Sequence, residues 1–153
     1  MTDIRDLRTF IDALEDAGQL ARISQPVSMQ HELADVGAAL ERAGTAAGLF
    51  ERPEDSPWPI FCGGVASSRR AAIALGCQPT EVVDVMEHVL EPAHGIGPVM
   101  ADDAPWQANT VVGDGVDTAL LPIPVHSRGD GGAFITGAVT VARDPISGRG
   151  NLG

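Results

Sequence analysis

The sequence predicts an α/β or α+β domain that is joined to the start of a β domain. Three observations support this prediction. Short apolar segments alternate with amphipathic helical patterns up to residue 90, prolines and glycines become frequent over 92–132, and a run rich in β-branched residues follows at 133–143. The chain has 153 residues, which is enough for one domain with a hydrophobic core and a short extension.

Four helices are predicted in the first part of the chain, because apolar residues recur there at a helical spacing. They cover 3–17, 30–43, 69–75 and 79–91. Thr2 or Asp3 is the expected N-cap of the first helix. Glycine, the residue that most often ends a helix, follows each of the first three, at Gly18, Gly44 and Gly76.

Short strands are predicted between these helices, at 20–24 and 60–62, and residues 51–59 contain three prolines and are predicted as a loop. In the second part, strands are predicted at 110–112 and 133–143, followed by a turn at 144–150. Only residues 151–153 remain for the returning strand, so the sequence predicts an incomplete β domain. Pairing of the long strand with 109–113 is the alternative.

Charge and composition exclude several classes of protein. There are 10 basic and 21 acidic residues, a formal net charge of −11, which argues against a nucleic-acid or polybasic membrane-surface protein. No apolar run approaches the roughly 20 residues of a membrane span, and the N-terminus lacks the apolar region of a signal peptide. We therefore expect a cytoplasmic protein, with Cys62 and Cys77 reduced and buried rather than joined in a disulfide.

All ten basic residues are arginines, and the chain has no tyrosine. Schiff-base chemistry on a lysine and proton donation by a tyrosine are therefore excluded within this chain.

A glycine-rich turn precedes two adjacent arginines, Arg69 and Arg70. A strand, a Gly63-Gly64 turn, a serine cap and a helix can together present backbone N–H groups to an anion. Two arginines in the first turn of a helix oppose the helix dipole, which an anionic partner would relieve. The spacing matches neither of the common nucleotide-binding loops. A capped helix with solvated or structurally paired arginines is the interpretation that the residues alone favour.

A second glycine-rich turn, Asp130-Gly131-Gly132, lies just before the long predicted strand. Such residues are typical of turns in any protein. Glycines at this place would also let a ligand approach the backbone closely.

The four histidines do not form a recognisable metal motif; they are His31, His88, His94 and His126. His31-Glu32 begins like a zinc-protease motif, but Asp35 stands where the second histidine is required. His88 and His94 are six residues apart, a spacing that does not place them on one helix face. A structural role is therefore favoured over a zinc site.

Three segments, in this order, resemble UbiD-type decarboxylases. Residues 6–23 resemble the opening helix and strand of that family, and 68–76 resemble its Arg-Arg segment. The third segment, 121–137, contains Leu-Pro-Ile-Pro, Gly-Asp-Gly-Gly and Ile-Thr and is followed by Asp144-Pro145 and Asn151. The resemblance covers essentially the whole chain, but only about the N-terminal third of a typical family member.

The resemblance implies a reversible, non-oxidative carboxy-lyase that acts on an aromatic or α,β-unsaturated carboxylic acid and uses prenylated FMN. It implies an N-terminal α/β domain over 1–108 and, over 109–153, the first strands of a split β-barrel flavin-binding domain.

The resemblance also implies Mn²⁺ and K⁺ beside the cofactor phosphate. It assigns Asn151 to the divalent ion and to cofactor binding, and the backbone carbonyl of Leu152 to the monovalent ion. Structural or ligand-adjacent positions are assigned to Asp130, Gly131, Gly132, Arg69 and Arg70.

By the same resemblance, no catalytic residue lies within this chain, because the family's catalytic arginine and acidic residues follow Gly153. We expect catalysis to need a C-terminal portion, in the same chain or in a partner chain, and the complete protein to be a homo-oligomer. Two alternatives are a naturally short, non-catalytic subunit that completes its β domain with a partner chain, and a stand-alone flavin-binding module.

Overall fold

The computed structural model describes residues 4–94, 100 and 104–153. Up to residue 90 the chain forms a three-stranded sheet and four α-helices, in an α/β arrangement as predicted. In chain order the elements are α1 (Leu7–Asp16), β1 (Leu20–Ile23), α2 (Glu32–Arg42), β2 (Ala47–Phe50), β3 (Ile60–Cys62), α3 (Ser68–Leu75) and α4 (Val82–Leu90).

Strand β2 is the middle strand of the sheet. It pairs in parallel with β1, where Leu20 lies opposite Ala47, and antiparallel with β3, where Gly48 lies opposite Cys62. A parallel pair needs a crossover connection, and α2 makes it. The sequence prediction missed β2, because a short strand that is buried on both faces lacks the apolar–polar alternation of a half-exposed strand.

The core lies on both faces of β2, since successive side chains of a strand point to opposite faces. One buried cluster contains Phe10, Leu14 and Ala47, and the rings of Phe10 and Phe61 meet edge to face with centroids 6.2 Å apart. The other buried cluster contains Val27, Leu33 and Phe50. Helices α1 and α2 are therefore held on the sheet by apolar burial.

Helix α1 begins four residues later than predicted, because its cap is Asp6. The Asp6 carboxylate accepts a hydrogen bond from the backbone N–H of Thr9 at 2.8 Å. The Thr9 hydroxyl in turn accepts one from the backbone N–H of Asp6 at 3.1 Å, which completes a capping box. Thr2 and Asp3, the predicted caps, lie outside the described residues.

The second part of the chain contains less regular structure. Its only described strands are β4 (Val141–Arg143) and β5 (Gly150–Leu152), an antiparallel pair, and no closed barrel is seen in the described residues. Short 3₁₀ turns lie at Pro92–His94, Pro105–Ala108, Gly113–Gly115 and Thr118–Leu120.

The predicted strand at 133–143 is therefore wrong over most of its length. Residues 133–139 form no ladder with any described segment, and the strand begins only where β5 can pair with it. A strand's N–H and C=O groups need a partner strand, and β-branched composition does not supply one. Residues 110–112 are not a strand either, so the alternative pairing with 109–113 is also wrong.

Two backbone hydrogen bonds join the two parts of the chain within the described residues. The backbone N–H of His31 donates to the carbonyl of Val125 at 2.9 Å, and the N–H of Val125 donates to the carbonyl of Met29 at 3.0 Å. Residues 122–126 thereby lie against the start of α2.

Cys62 and Cys77 are free thiols, and both are half-buried rather than buried. Across 4–94 and 104–153, the structure contains no helix with the length and apolar character that crossing a membrane requires.

Candidate functional site

The β4–β5 hairpin determines where the side chain of Asn151 lies. Asn151 pairs with Ala142, and Leu152 pairs with Val141. Directly opposed residues share a face of the pair, so Asn151 and Ala142 lie on one face, while Leu152 lies on the other. Asn151 and Leu152 are both exposed.

The hydrogen-bond pattern of the hairpin also orients two backbone groups. Thr140 and Gly153 exchange two hydrogen bonds, of 2.6 and 3.0 Å. Hydrogen-bonded and non-hydrogen-bonded pairs alternate along antiparallel strands, so the pair of Leu152 and Val141 is non-hydrogen-bonded. The carbonyl of Leu152 therefore points away from β4, whereas the backbone of Asn151 is held in the ladder.

A well-bonded turn keeps the two strands in register. The Asp144 carboxylate accepts hydrogen bonds from the backbone N–H groups of Ile146 at 2.7 Å and Ser147 at 3.2 Å, which lower the pKa of Asp144. Arg143 donates to the carbonyl of Gly148 at 2.6 Å, and Gly148 has a φ of +71°, which favours glycine. The turn therefore fixes the pairing that presents Asn151.

The hairpin carries two oxygen atoms of a kind that metal ions accept, the side-chain amide oxygen of Asn151 and the backbone carbonyl oxygen of Leu152. Strands β4 and β5 line an open cavity with a volume of about 480 Å³, and Asn151 and Leu152 are among its lining residues. An amide oxygen and a carbonyl oxygen are hard ligands of the kind that Mn²⁺ and K⁺ accept. Divalent ions of this class take about six ligands, so the hairpin alone supplies only a minority of them.

The Asp130-Gly131-Gly132 turn lies outside the β4–β5 hairpin. The Asp130 carboxylate accepts a hydrogen bond from the backbone N–H of Ser127 at 2.7 Å, so this side chain closes its own turn. A Cβ added to Gly131 or Gly132 would meet no atom within 4 Å. The backbone of these glycines is therefore open to approach by another group.

A cavity of about 240 Å³ lies where the second part of the chain contacts α2 and β3. It is lined by Leu33, Phe61, His126 and Phe134 among others, and the rings of His126 and Phe134 are 4.6 Å apart between centroids. Nδ1 of His126 is buried and has no hydrogen-bond partner within the described residues.

The two adjacent arginines have different environments. Arg70 is 1% exposed, and it donates to both carboxylate oxygens of Glu41 at 2.7 Å and to the carbonyl of Gly63 at 2.9 Å. Arg69 is exposed and lines a separate cavity of about 510 Å³ between α1 and α3. The guanidinium of Arg70 is therefore used in packing, and Arg69 is the one accessible to a ligand.

The structure does not bring these predicted positions together. The concave surfaces at Asn151, at His126 and at Arg69 share no lining residue. Asn151 and Leu152 are consecutive in β5, with their side chains on opposite faces of the pair.

The side chain of Cys62, the last residue of β3, lies against α2 and β2. A Cβ added to Gly37 or to Gly48 would lie 3.2 Å from its Sγ. Burial raises the pKa of the Cys62 thiol, which disfavours the reactive thiolate, so this cysteine packs rather than reacts.

The structure reveals one cluster that the sequence prediction missed. His88, Glu91 and His94 each place one potential ligand atom within 4.8 Å of the others. The spacing of His88 and His94 does not place them on one helix face, and their rings meet for a different reason: α4 ends at Leu90 and the Pro92–His94 turn folds back. Pro92 was the available signal, since proline ends a helix.

Comparisons with known proteins identify two consecutive family domains in this chain. Residues 11–90 match the 3-octaprenyl-4-hydroxybenzoate carboxy-lyase N-terminal domain. Residues 98–153 match the Rift-related domain of the same carboxy-lyase family.

Solved structures of UbiD-class enzymes resemble this chain in fold. An evolved dimeric form of HmfF from Pelotomaculum thermopropionicum, in complex with prFMN, matches at 30% identity with a TM-score of 0.77, over 95% of this chain and 34% of that chain. The apo 3,4-dihydroxybenzoic acid decarboxylase AroY of Klebsiella pneumoniae matches at 26% identity with a TM-score of 0.73, over 97% of this chain and 33% of that chain.

A curated relative from Rhodospirillum rubrum, an uncharacterised protein encoded in the cooM 5′ region, is 35% identical over 161 residues. The match covers 97% of this chain and 32% of that protein, so the chain spans about a third of the length of the relatives it matches. Because the two family domains follow one another over nearly the whole sequence, the chain belongs to the UbiD carboxy-lyase family, of which it represents an N-terminal segment.

Proposed function

We propose that this chain is the N-terminal portion of a decarboxylase that releases CO₂ reversibly from an aromatic or α,β-unsaturated carboxylic acid. The observation that supports this best is the order of the two family domains, at 11–90 and 98–153. The structural relative that contains prFMN aligns over 95% of this chain, which supports the same cofactor here. The remaining machinery would come from a C-terminal portion of the same protein or from a partner chain.

In this proposal Asn151 provides a side-chain oxygen to Mn²⁺, and the outward carbonyl of Leu152 contacts K⁺. The hairpin supports both roles, because it fixes the backbone of Asn151 and leaves the Leu152 carbonyl outside the ladder. Prenylated FMN, when bound, would supply the electron sink for breaking the carbon–carbon bond. The chain's own part is to position the cofactor phosphate through these ions.

Other parts of the chain would have supporting roles. The division into an N-terminal domain over 1–108 and the start of a split β-barrel over 109–153 remains a prediction. Gly131 and Gly132 would admit a ligand near the backbone, and Arg69 would face a ligand or another domain, while Arg70 holds the N-terminal domain together. The complete protein would be a cytoplasmic homo-oligomer.

The test uses the endogenous protein, captured from a native extract with an antibody raised against residues 1–90. The intact mass, the flavin absorbance, the manganese content and CO₂ release from a panel of aromatic and α,β-unsaturated acids are measured on the captured material. We expect bound flavin, manganese and decarboxylation of at least one acid. Captured protein that holds no flavin and releases no CO₂ from any acid would overturn the proposal.

The measured mass distinguishes whether one long chain, a complex of two chains or this short chain alone carries the function. A species several times larger than 15.9 kDa means that one chain carries the whole enzyme. A species of 15.9 kDa that copurifies with a second protein and with activity means that the partner supplies the C-terminal portion. A partner without activity supports a non-catalytic subunit, and a lone yellow species of 15.9 kDa supports a stand-alone flavin-binding module; both results overturn the decarboxylase proposal.

A further inference from the structure

Three side chains with metal-ligating atoms meet at the C-terminal end of α4. His88 lies in the last turn of the helix, Glu91 follows the helix, and His94 ends the Pro92–His94 turn. One potential ligand atom of each residue lies within 4.8 Å of the other two. All three residues are exposed, so an ion from solution can reach them.

A hydrogen bond already orients one of the two imidazoles. Nδ1 of His94 lies 2.7 Å from the backbone carbonyl oxygen of His88. A carbonyl only accepts, so Nδ1 donates in this contact, and Nε2 is the nitrogen left for a metal while the hydrogen bond is kept. The Glu91 carboxylate lies 3.6 Å from the same Nδ1. Metal-bound histidines in proteins commonly donate their other ring N–H in this way.

The chemistry of the three ligands points to a transition metal ion rather than to Mg²⁺ or Ca²⁺. Two imidazoles and one carboxylate form one of the ligand sets that hold zinc in proteins, with water in the remaining position. Hard ions such as Mg²⁺ prefer oxygen ligands throughout.

The two imidazole rings must move before both can bind one ion. The rings of His88 and His94 are 4.0 Å apart between centroids and are tilted by 39°. Both nitrogens must point at one ion at about 2.0–2.1 Å, so the rings must separate on binding. Exposed side chains change rotamer within picoseconds to nanoseconds, so this rearrangement does not slow binding.

We propose that His88, Glu91 and His94 form a binding site for Zn²⁺ or a similar transition metal ion. The site shares no residue with the Asn151 hairpin and does not depend on the proposed decarboxylase activity. A bound ion would tie the Pro92–His94 turn to the end of α4, just before the second family domain begins at residue 98.

Isothermal titration of the 153-residue chain with ZnCl₂ tests this proposal. We expect one equivalent to bind at or below about 10 µM, and the affinity to fall at least tenfold in the His88→Ala/His94→Ala variant. Glu87→Gln removes a neighbouring exposed carboxylate of α4 and should leave the affinity unchanged. Far-UV circular dichroism checks that each variant is folded.

Three outcomes overturn the proposal. They are no zinc binding up to 100 µM, an unchanged affinity in the double histidine variant, and an affinity that instead depends on Asn151, as measured with Asn151→Ala.

Nitrogen NMR of the histidine side chains adds a second readout. Zinc should shift a ring nitrogen of His88 and Nε2 of His94 while leaving His31 and His126 in place. Shifts confined to His31 or His126 would contradict the assignment.

Discussion

Nη2 of Arg70 lies 2.7 Å from both carboxylate oxygens of Glu41, although the two residues are 29 positions apart in the chain. Nε of the same guanidinium donates to the carbonyl of Gly63 at 2.9 Å. One buried cation thereby connects α2, the turn after β3 and α3. The ion pair links elements that the sequence alone does not show to be neighbours.

Replacing Arg70 should destabilise the fold, because Glu41 would lose its buried partner. We expect Arg70→Ala to lower the free energy of unfolding by about 3 kcal/mol, at the lower end of the range for such pairs. The lower end applies because the Glu41 side chain is 33% exposed and can still reach water. Urea denaturation measures the change. Arg69→Ala is the matched control and should cost less than about 0.5 kcal/mol, and equal losses in the two variants would contradict this account.

Gly63 should be intolerant of any side chain. Its φ is +72°, and an added Cβ would overlap Oε1 of Glu41, a carboxylate that can move aside only by weakening its hydrogen bonds to Arg70. Gly44 has a similar φ of +63° with no atom within 4 Å of an added Cβ. Both Gly→Ala variants carry the backbone strain, so the difference between them isolates the clash. We expect Gly63→Ala to cost at least about 1 kcal/mol more than Gly44→Ala in urea denaturation, and identical costs would refute the clash.

Acid should weaken the contribution of Arg22 to stability. Its guanidinium lowers the pKa of Glu15 below 4.5, and the Ser24 hydroxyl together with Arg22 lowers that of Glu51. Carboxylates with lowered pKa values stabilise the fold fully above their ordinary pKa and lose this effect as the pH falls through the folded-state value.

The comparison of Arg22→Gln with the wild type should therefore depend on pH. The difference in free energy of unfolding should be constant above about pH 5 and should shrink as the pH falls below 4.5. Thermal or urea denaturation across this range measures it. Arg52→Gln, which removes another exposed arginine, should follow the wild-type pH profile. A difference for Arg22→Gln that grows towards low pH has the opposite sign and would rule out the mechanism.

Asn151 offers a direct test of the proposed metal role. In purified protein that holds flavin and manganese, Asn151→Ala should reduce the content of both at least severalfold, because an oxygen ligand is lost. Asn151→Asp keeps an oxygen at the same position and should retain the metal. Asn109→Ala changes another exposed asparagine and should leave both contents unchanged. Absorbance and elemental analysis give the readout, and full retention in Asn151→Ala would remove this residue from the site.

The helices were largely predictable because their signals are local. Apolar spacing and the glycines at 18, 44 and 76 placed α1, α2 and α3 to within a few residues. The β4–β5 hairpin was also anticipated by the turn residues at 144–150, because Asp144 and Gly148 are suited to such a turn.

The structural features that the sequence did not predict depend on contacts between residues that are distant in the chain. Strand β2 has four buried residues and no alternation, so only its pairing with β1 and β3 identifies it. The strand predicted at 133–143 was too long for the opposite reason. Its residues favour a strand, but most of them have no partner strand among the described segments. The Glu41–Arg70 pair and the meeting of His88 with His94 likewise depend on how the chain folds back.

The central position of β2 bears on the order in which the sheet assembles. Pairing β2 with β3 joins Gly48 to Cys62, 14 residues apart, whereas pairing it with β1 joins Leu20 to Ala47, 27 residues apart, with α2 in between. Doubling the length of a closed loop costs about 0.6 kcal/mol of chain entropy, and the crossover helix must also form. The antiparallel hairpin of β2 and β3 is therefore the expected folding nucleus, and β1 docks on it later together with α1.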